Sequence, residues 1–210
     1  MNDNDLDPAA LVSNPFSTRF ISPTTVDYLF PKGTDAARLV TKLREADWWG
    51  QIIGPHGSGK TALLHSLAPL LEEAGRRVEL CVLHDSERRL RIAQRTKSGW
   101  NRHTQVVVDG YEQLGWFSRV MLKRNCRSRG AGLLVSAHAS VGLPAVWETE
   151  TSLELARTLV ARLLPQQRVS RITAEDVSCA FSAHQGNLRE MLMSLYDVYE
   201  ERSGGADDQG

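Results

Sequence analysis

Apolar residues in this chain fall into short unbroken runs, with stretches of helical spacing between them. Trp48-Trp49-Gly50-Gln51-Ile52-Ile53, residues 78–83, Gln105-Val-Val-Val-Asp109 and residues 131–138 read as strands, and Leu143-Pro-Ala-Val-Trp147 as a last one. Between them, residues 35–46, 86–95 and 116–129 read as helices, as does the stretch after residue 60, where Leu63, Leu64, Leu67 and Leu71 share one face. Unbroken apolar strands are buried on both faces, so this strand–helix alternation predicts a parallel sheet covered by helices on both sides.

The helix after residue 60 runs to about Glu73 and stops at Gly75, a helix-ending residue; Pro69 inside it removes one hydrogen bond and predicts a kink. From residue 151 the pattern becomes entirely helical. Thr151-x-x-Glu154 and Thr173-x-x-Asp176 read as capping boxes, and Asn187 with Glu190 as a third. Leu155, Leu159 and Leu163 keep helical spacing up to Pro165; Leu188, Met191, Leu192, Leu195 and Tyr199 form another stripe, read as packing. Residues 16–33 are irregular and proline-punctuated, with Phe16, Phe20, Tyr28, Leu29, Phe30 and Pro31: either a strap across the core or an apolar platform for a nucleotide base.

Composition is that of a soluble globular chain, and net charge is zero, so the molecule as a whole makes no electrostatic case for nucleic acid. Cys81, Cys126 and Cys179 are too few and scattered for a disulfide framework or a zinc site. The acidic N-terminus has no apolar signal region, and no apolar run approaches a membrane span, so the expected compartment is the cytoplasm with no membrane contact.

The chemistry concentrates at Gly54-Pro55-His56-Gly57-Ser58-Gly59-Lys60-Thr61, which fits the phosphate-binding pattern G-x-x-x-x-G-K-[ST] between a strand and a helix. Glycines let the backbone curl into a nest of inward N–H groups, and the helix starting there, through Ala62, adds its positive end. Lys60 brings charge to the β and γ phosphates, and the Thr61 hydroxyl can ligate Mg²⁺. The strand ending at Asp109 fits the Walker B strand, whose carboxylate faces the loop and holds the magnesium's water shell. Glu112 is the nearest acid able to orient an attacking water, and is equally readable as a solvated helix-start residue. Ser136 and His138 end another strand, where ligands bind in parallel sheets; each is a candidate γ-phosphate sensor or a capping residue.

Taken together, these motifs resemble the AAA+ and STAND branch of P-loop ATPases, in the style of origin-recognition and transposition-helper ATPases. The resemblance is carried by Gly54–Thr61, Val106–Asp109, the strand ending at His138, and Gly186-Asn-Leu-Arg189, and covers roughly residues 40–200. It implies an ASCE-type P-loop NTPase α/β core with a small C-terminal helical lid, in which the strand at 132–137 lies between the phosphate-loop and Walker B strands. It implies ATP and Mg²⁺ as cofactors, Arg189 as a sensor-2 arginine, and His138 at the position of a sensor-1 asparagine. The family's catalytic glutamate directly follows the Walker B aspartate; here Gly110 stands there. The Asp-Gly-Tyr-Glu order resembles a STAND-type variant and supports Glu112 as base. On this reading residues 1–33 are an acidic, irregular segment, 34–150 the nucleotide-binding core, 151–203 the lid and 204–210 a disordered tail.

Charge is distributed unevenly. Arg88, Arg89, Arg91, Arg95, Lys97, Arg102, Arg119, Lys123, Arg124, Arg127 and Arg129 face only two acids, Asp109 and Glu112, between 88 and 129. This region is a candidate surface for nucleic acid, for a protein partner, or simply for solvent. Of its aromatics only Trp100 sits in a basic loop; Tyr111, Trp116 and Phe117 are expected in the core, which favours protein contact or solvent over base stacking.

Three activities are compatible with these residues. The first is an ATPase motor or switch acting on an unknown partner, with Lys60, Asp109, Glu112 and Arg189 as catalytic residues and a homo-oligomer as one arrangement. The second is a small-molecule phosphotransferase using the 88–102 basic run as a lid. The third is a nucleotide-gated binding module with little turnover, suggested by Gly110. The absence of N-K-x-D and Leu-Ser-Gly-Gly sequences argues against a GTPase and an ABC-type ATPase.

Overall fold

A computed structural model of the chain describes residues 14–17, 21, 27–83, 88, 98–164 and 171–204. The expected helix at 86–95 apart from Arg88, Phe20, Pro165, and Arg89, Arg91, Arg95 and Lys97 of the basic run lie outside these residues. The chain divides into two compact units, Asp27–Glu150 and Met1–Val26 with Thr151–Gly210.

The first unit is built on five parallel strands: β1 (Trp49–Ile53), β2 (Arg77–Val82), β3 (Thr104–Asp109), β4 (Gly132–Ala137) and β5 (Ala145–Glu148), in the order β2-β3-β4-β1-β5. β4 therefore lies between β1 and β3, as the resemblance implies. Every residue of β3 and β4 is buried. Their alternation explains why: Val107 and Leu134 face one layer, while Val106, Val108, Leu133 and Val135 face the other.

Helices α1 (Ala36–Glu45) and α2 (Lys60–Glu73) cover the first face, through Leu39, Val40 and Leu43 and through Leu63, Leu64, Leu67 and Leu71. Asp35 caps α1 by accepting from the Arg38 amide. Pro69 sits within an unbroken α2, and Gly75 follows its end at φ 79°. Helix α3 (Trp116–Ser128) covers the second face with Leu122 and Cys126, beside Tyr111 and Leu114. Burial pushes the Cys126 thiol up to about 12, leaving it an inert packing group.

Two aromatic expectations are overturned here. Trp100 lies outside helix and strand, as expected, but is not available for stacking: it is 4% exposed and packs in the core with Leu122 of α3. Trp116 and Phe117 are not in the core: they are 78% and 70% exposed. Both sit in the first turn of α3, whose inward positions are taken further along by Leu122 and Cys126.

The segment at 27–30 belongs to the sheet unit and serves as a strap. Tyr28 and Phe30 pack edge-to-face on the α1–α2 layer, the Tyr28 amide donates to Ser66 Oγ, and Trp147 Nε1 donates to the Tyr28 hydroxyl over 3.0 Å.

The second unit holds α4 (Leu153–Leu163), α5 (Ala174–Ala183) and α6 (Leu188–Gly204). Thr173 and Asp176 form the expected capping box. At α4 the cap is one residue later than expected: Ser152, not Thr151, accepts from the Leu155 amide. Asn187 Oδ1 accepts from the amides of Arg189 and Glu190. The α6 stripe of Leu188, Met191, Leu192, Leu195 and Tyr199 is buried, with Phe16 edge-on to Tyr199.

No described helix is long and apolar enough to cross a membrane.

Candidate functional site

The site lies at the carboxyl ends of β1, β3 and β4, and strand register builds it. Ile53 pairs with Ala137, and the Gly54 amide donates onward to the Ala137 carbonyl, so the loop leaving β1 runs beside Ser136 and His138. Val108 pairs with Val135, which sets Asp109 beside Ser136. Two strands that are not neighbours thus deliver the loop and the acid to one spot, across β4.

The loop is curled. Gly57 and Gly59 have φ of 68° and 88°, left-handed values that favour glycine, and Gly59 leads directly into α2. Tyr28 packs under it, its ring 3.3 Å from where a Cβ on Gly59 would stand. Ser58 donates to the Pro55 carbonyl, and its hydroxyl lies 2.6 Å from that of Thr149. Gly54 has no room for a side chain, because an added Cβ would fall 1.9 Å from the Thr149 hydroxyl. Thr149, just beyond β5, is thus a structural member of the loop that the sequence motif does not flag.

Lys60 is buried at the first position of α2, and its ammonium donates to the carbonyls of Gly54 and Pro55, each at 2.7 Å. Burial pushes the lysine's pKa down; the carboxylates of Glu112 and Asp109 oppose that shift.

The Thr61 hydroxyl donates to Asp109 Oδ2 over 2.6 Å. Ser136 donates to Asp109 Oδ1 and accepts from the Gly110 amide, so its hydroxyl is committed to orienting the acid and is not directed to a ligand as a sensor. Gly110 adopts φ 76°, and a Cβ there would stand 3.1 Å from the Leu83 carbonyl. That left-handed turn explains why no acid follows Asp109 directly. The next acid, Glu112, falls in a short 3-10 turn, Tyr111–Gln113.

Glu112 is not a solvated helix-start residue. Its Oε1 lies 2.7 Å from His138 Nε2, and its buried Oε2 has no partner among the described residues. His138 Nδ1 is 3.3 Å from both Lys60 Nζ and the Gly54 carbonyl. An ammonium offers only protons, so we assign His138 as the Nε2–H tautomer, donating to Glu112 and presenting a lone pair to Lys60. The His56 ring lies over it, centroids 3.6 Å apart. This histidine stack joins the loop to β4, and no sequence motif marks it.

Ala62 takes the first turn of α2. Arg189 is exposed near the start of α6, in the helical unit.

These residues fit a triphosphate with magnesium. A curled loop carries Lys60 inside it, a hydroxyl and a carboxylate meet at 2.6 Å, and an unpartnered carboxylate oxygen is held beside them. Among the described residues no group of three or more His, Cys, Asp or Glu could hold a metal by itself.

No family model and no curated protein matches the chain. It is similar to the solved structure of C. elegans PCH-2, with a TM-score of 0.41 and 11% identity, over 87% of this chain and 72% of that one. The fold is α/β, with a five-stranded parallel sheet compatible with a P-loop NTPase core.

Proposed function

We propose that the 27–150 unit binds Mg-ATP in the 54–61 loop and that the chain is an ATPase of the AAA+/STAND kind. Nucleotide binding or hydrolysis would drive a conformational change acting on a protein or nucleic-acid partner. The single observation carrying this reading is the Thr61–Asp109 hydrogen bond at the mouth of a curled loop that contains Lys60.

The loop amides of residues 57–62 and the Lys60 ammonium bind the phosphates, positioning them at the dipole end of α2. Thr61 and Asp109 would hold a magnesium ion, whose charge would offset that of the bound phosphates. Glu112, through its unpartnered Oε2, orients a water and accepts its proton; His138 keeps the opposite oxygen occupied. Arg189 is the candidate sensor-2 residue of the helical lid.

A second reading, a nucleotide-gated module with little turnover, is favoured by one observation. Glu112 is reached only through the left-handed turn at Gly110 and is already bonded to His138. Calorimetry with Mg-ATP, followed by phosphate-release kinetics on the same sample, separates the two. Binding with release supports the ATPase, binding without release supports the gated module, and no binding to the parent protein defeats both. Mass analysis of candidate acceptors tests the phosphotransferase alternative.

A further inference from the structure

His138, at the end of β4, is met from three sides. From α2, Lys60 Nζ lies 3.3 Å from its Nδ1. From the 3-10 turn, Glu112 Oε1 lies 2.7 Å from its Nε2. From the loop, the Gly54 carbonyl lies 3.3 Å from Nδ1, and the His56 ring stacks on the imidazole. Asp109, on the adjacent strand, is held by Thr61 and Ser136 instead.

These partners act on the ring in opposite directions. Imidazoles change charge between about pH 5 and 8. The Glu112 carboxylate beside Nε2 favours a charged ring, whereas the Lys60 ammonium and a second imidazole against its face disfavour one. Lys60 also occupies the very nitrogen that would take the proton, because Nδ1 is its acceptor. The group that keeps a proton off His138 is therefore the one an incoming polyphosphate recruits.

We propose that nucleotide binding is coupled to the uptake of one proton at His138 Nδ1. The inference rests on the reading that the 54–61 loop takes Mg-ATP. Once phosphate oxygens draw the Lys60 protons, Nδ1 loses its donor and accepts a proton from solvent; one N–H bond forms and no other bond changes. The phosphates then offset the Lys60 charge, and Glu112 remains beside the ring as the counter-charge. The stacked His56 opposes a second added charge, which limits the pair to one proton. Because the bound form holds the extra proton, affinity rises as pH falls, by about tenfold per pH unit at the limit of one full proton.

Calorimetry on the full chain with magnesium and the imido analogue of ATP tests it. Titrations at about pH 7 in buffers of different ionisation enthalpy count the protons taken up. The parent should take up more than His138→Gln, which keeps an N–H for Glu112 but cannot gain a charge; protons belonging to the ligand cancel in that difference. Nitrogen-resolved histidine NMR of the parent gives a second reading: the analogue should shift the His138 Nδ1 titration to higher pH. Equal uptake by parent and variant, or an Nδ1 that titrates identically with and without the analogue, overturns the proposal and leaves the nucleotide site standing. If His138→Gln does not fold or bind, the NMR titration of the parent decides alone. A parent that binds no analogue overturns the proposal and the nucleotide reading together.

Discussion

Thr61 and Asp109 lie 48 residues apart in sequence, and their side chains are joined by a 2.6 Å hydrogen bond. Neither helix nor strand alone brings them together. The contact follows from β4 lying between their two strands, and from Ser136 on that strand gripping the other oxygen of Asp109. Asp109→Asn keeps the shape and removes the charge. Magnesium-dependent nucleotide affinity should fall about tenfold or more, with magnesium-free binding little changed, as titrations with and without EDTA would read.

Lys60→Ala removes the buried ammonium and its bonds to the Gly54 and Pro55 carbonyls. Loss of nucleotide binding by at least about a hundredfold is expected, measured with a fluorescent ATP analogue, since charge-assisted contacts are worth roughly 1.5–3 kcal/mol each. Wild-type affinity in this variant would remove the loop as the binding site.

Glu112→Gln should leave nucleotide binding intact and slow phosphate release about 10²-fold or more, the usual scale of a general base. Equal turnover would leave Glu112 as a structural partner of His138 only. Arg189→Ala is the parallel test on the helical unit: lower nucleotide affinity supports the sensor-2 role, and behaviour identical to the parent removes it.

Gly110→Ala tests the backbone rather than the chemistry. With φ 76° and Leu83's carbonyl 3.1 Å from the new Cβ, the variant should lose about 1–2 kcal/mol in urea denaturation.

Paired bonds from Arg202, aided by the Thr173 amide and hydroxyl, hold the Asp176 carboxyl well below the ordinary carboxylate range. Its stabilising effect is fully present above the unfolded value of about 4 and declines as pH falls from there toward the folded value. Asp176→Asn should therefore cost about 1 kcal/mol at neutral pH. The gap between variant and parent should narrow as pH falls below about 4, read from chemical denaturation at several pH values.

Sequence carried the sheet well because valine and leucine runs in β3 and β4 are buried on both faces, and unbroken apolar runs have few other destinations. The loop was legible because the glycine positions that allow its curl are local. What lay beyond reach was tertiary. Thr149 meets Ser58 only because β5 pairs with β1, and His56 stacks on His138 only because β4 does. The aromatics misled for the same reason. Trp100 and Trp116 each border a helix or loop with mixed neighbours, and only the placement of β3 decides that the first is covered and the second is not.

Lys60 answers to its own loop: two carbonyl oxygens already occupy its ammonium. With His138 Nδ1 beside its third proton, an incoming anion must compete with these acceptors, so a singly charged or small ligand gains little from the exchange. Only a polyphosphate, able to engage the amides and the cation together, offers more than it takes away. If the loop takes nucleotide as proposed, the resting embrace would act as a filter against inorganic phosphate and other small anions.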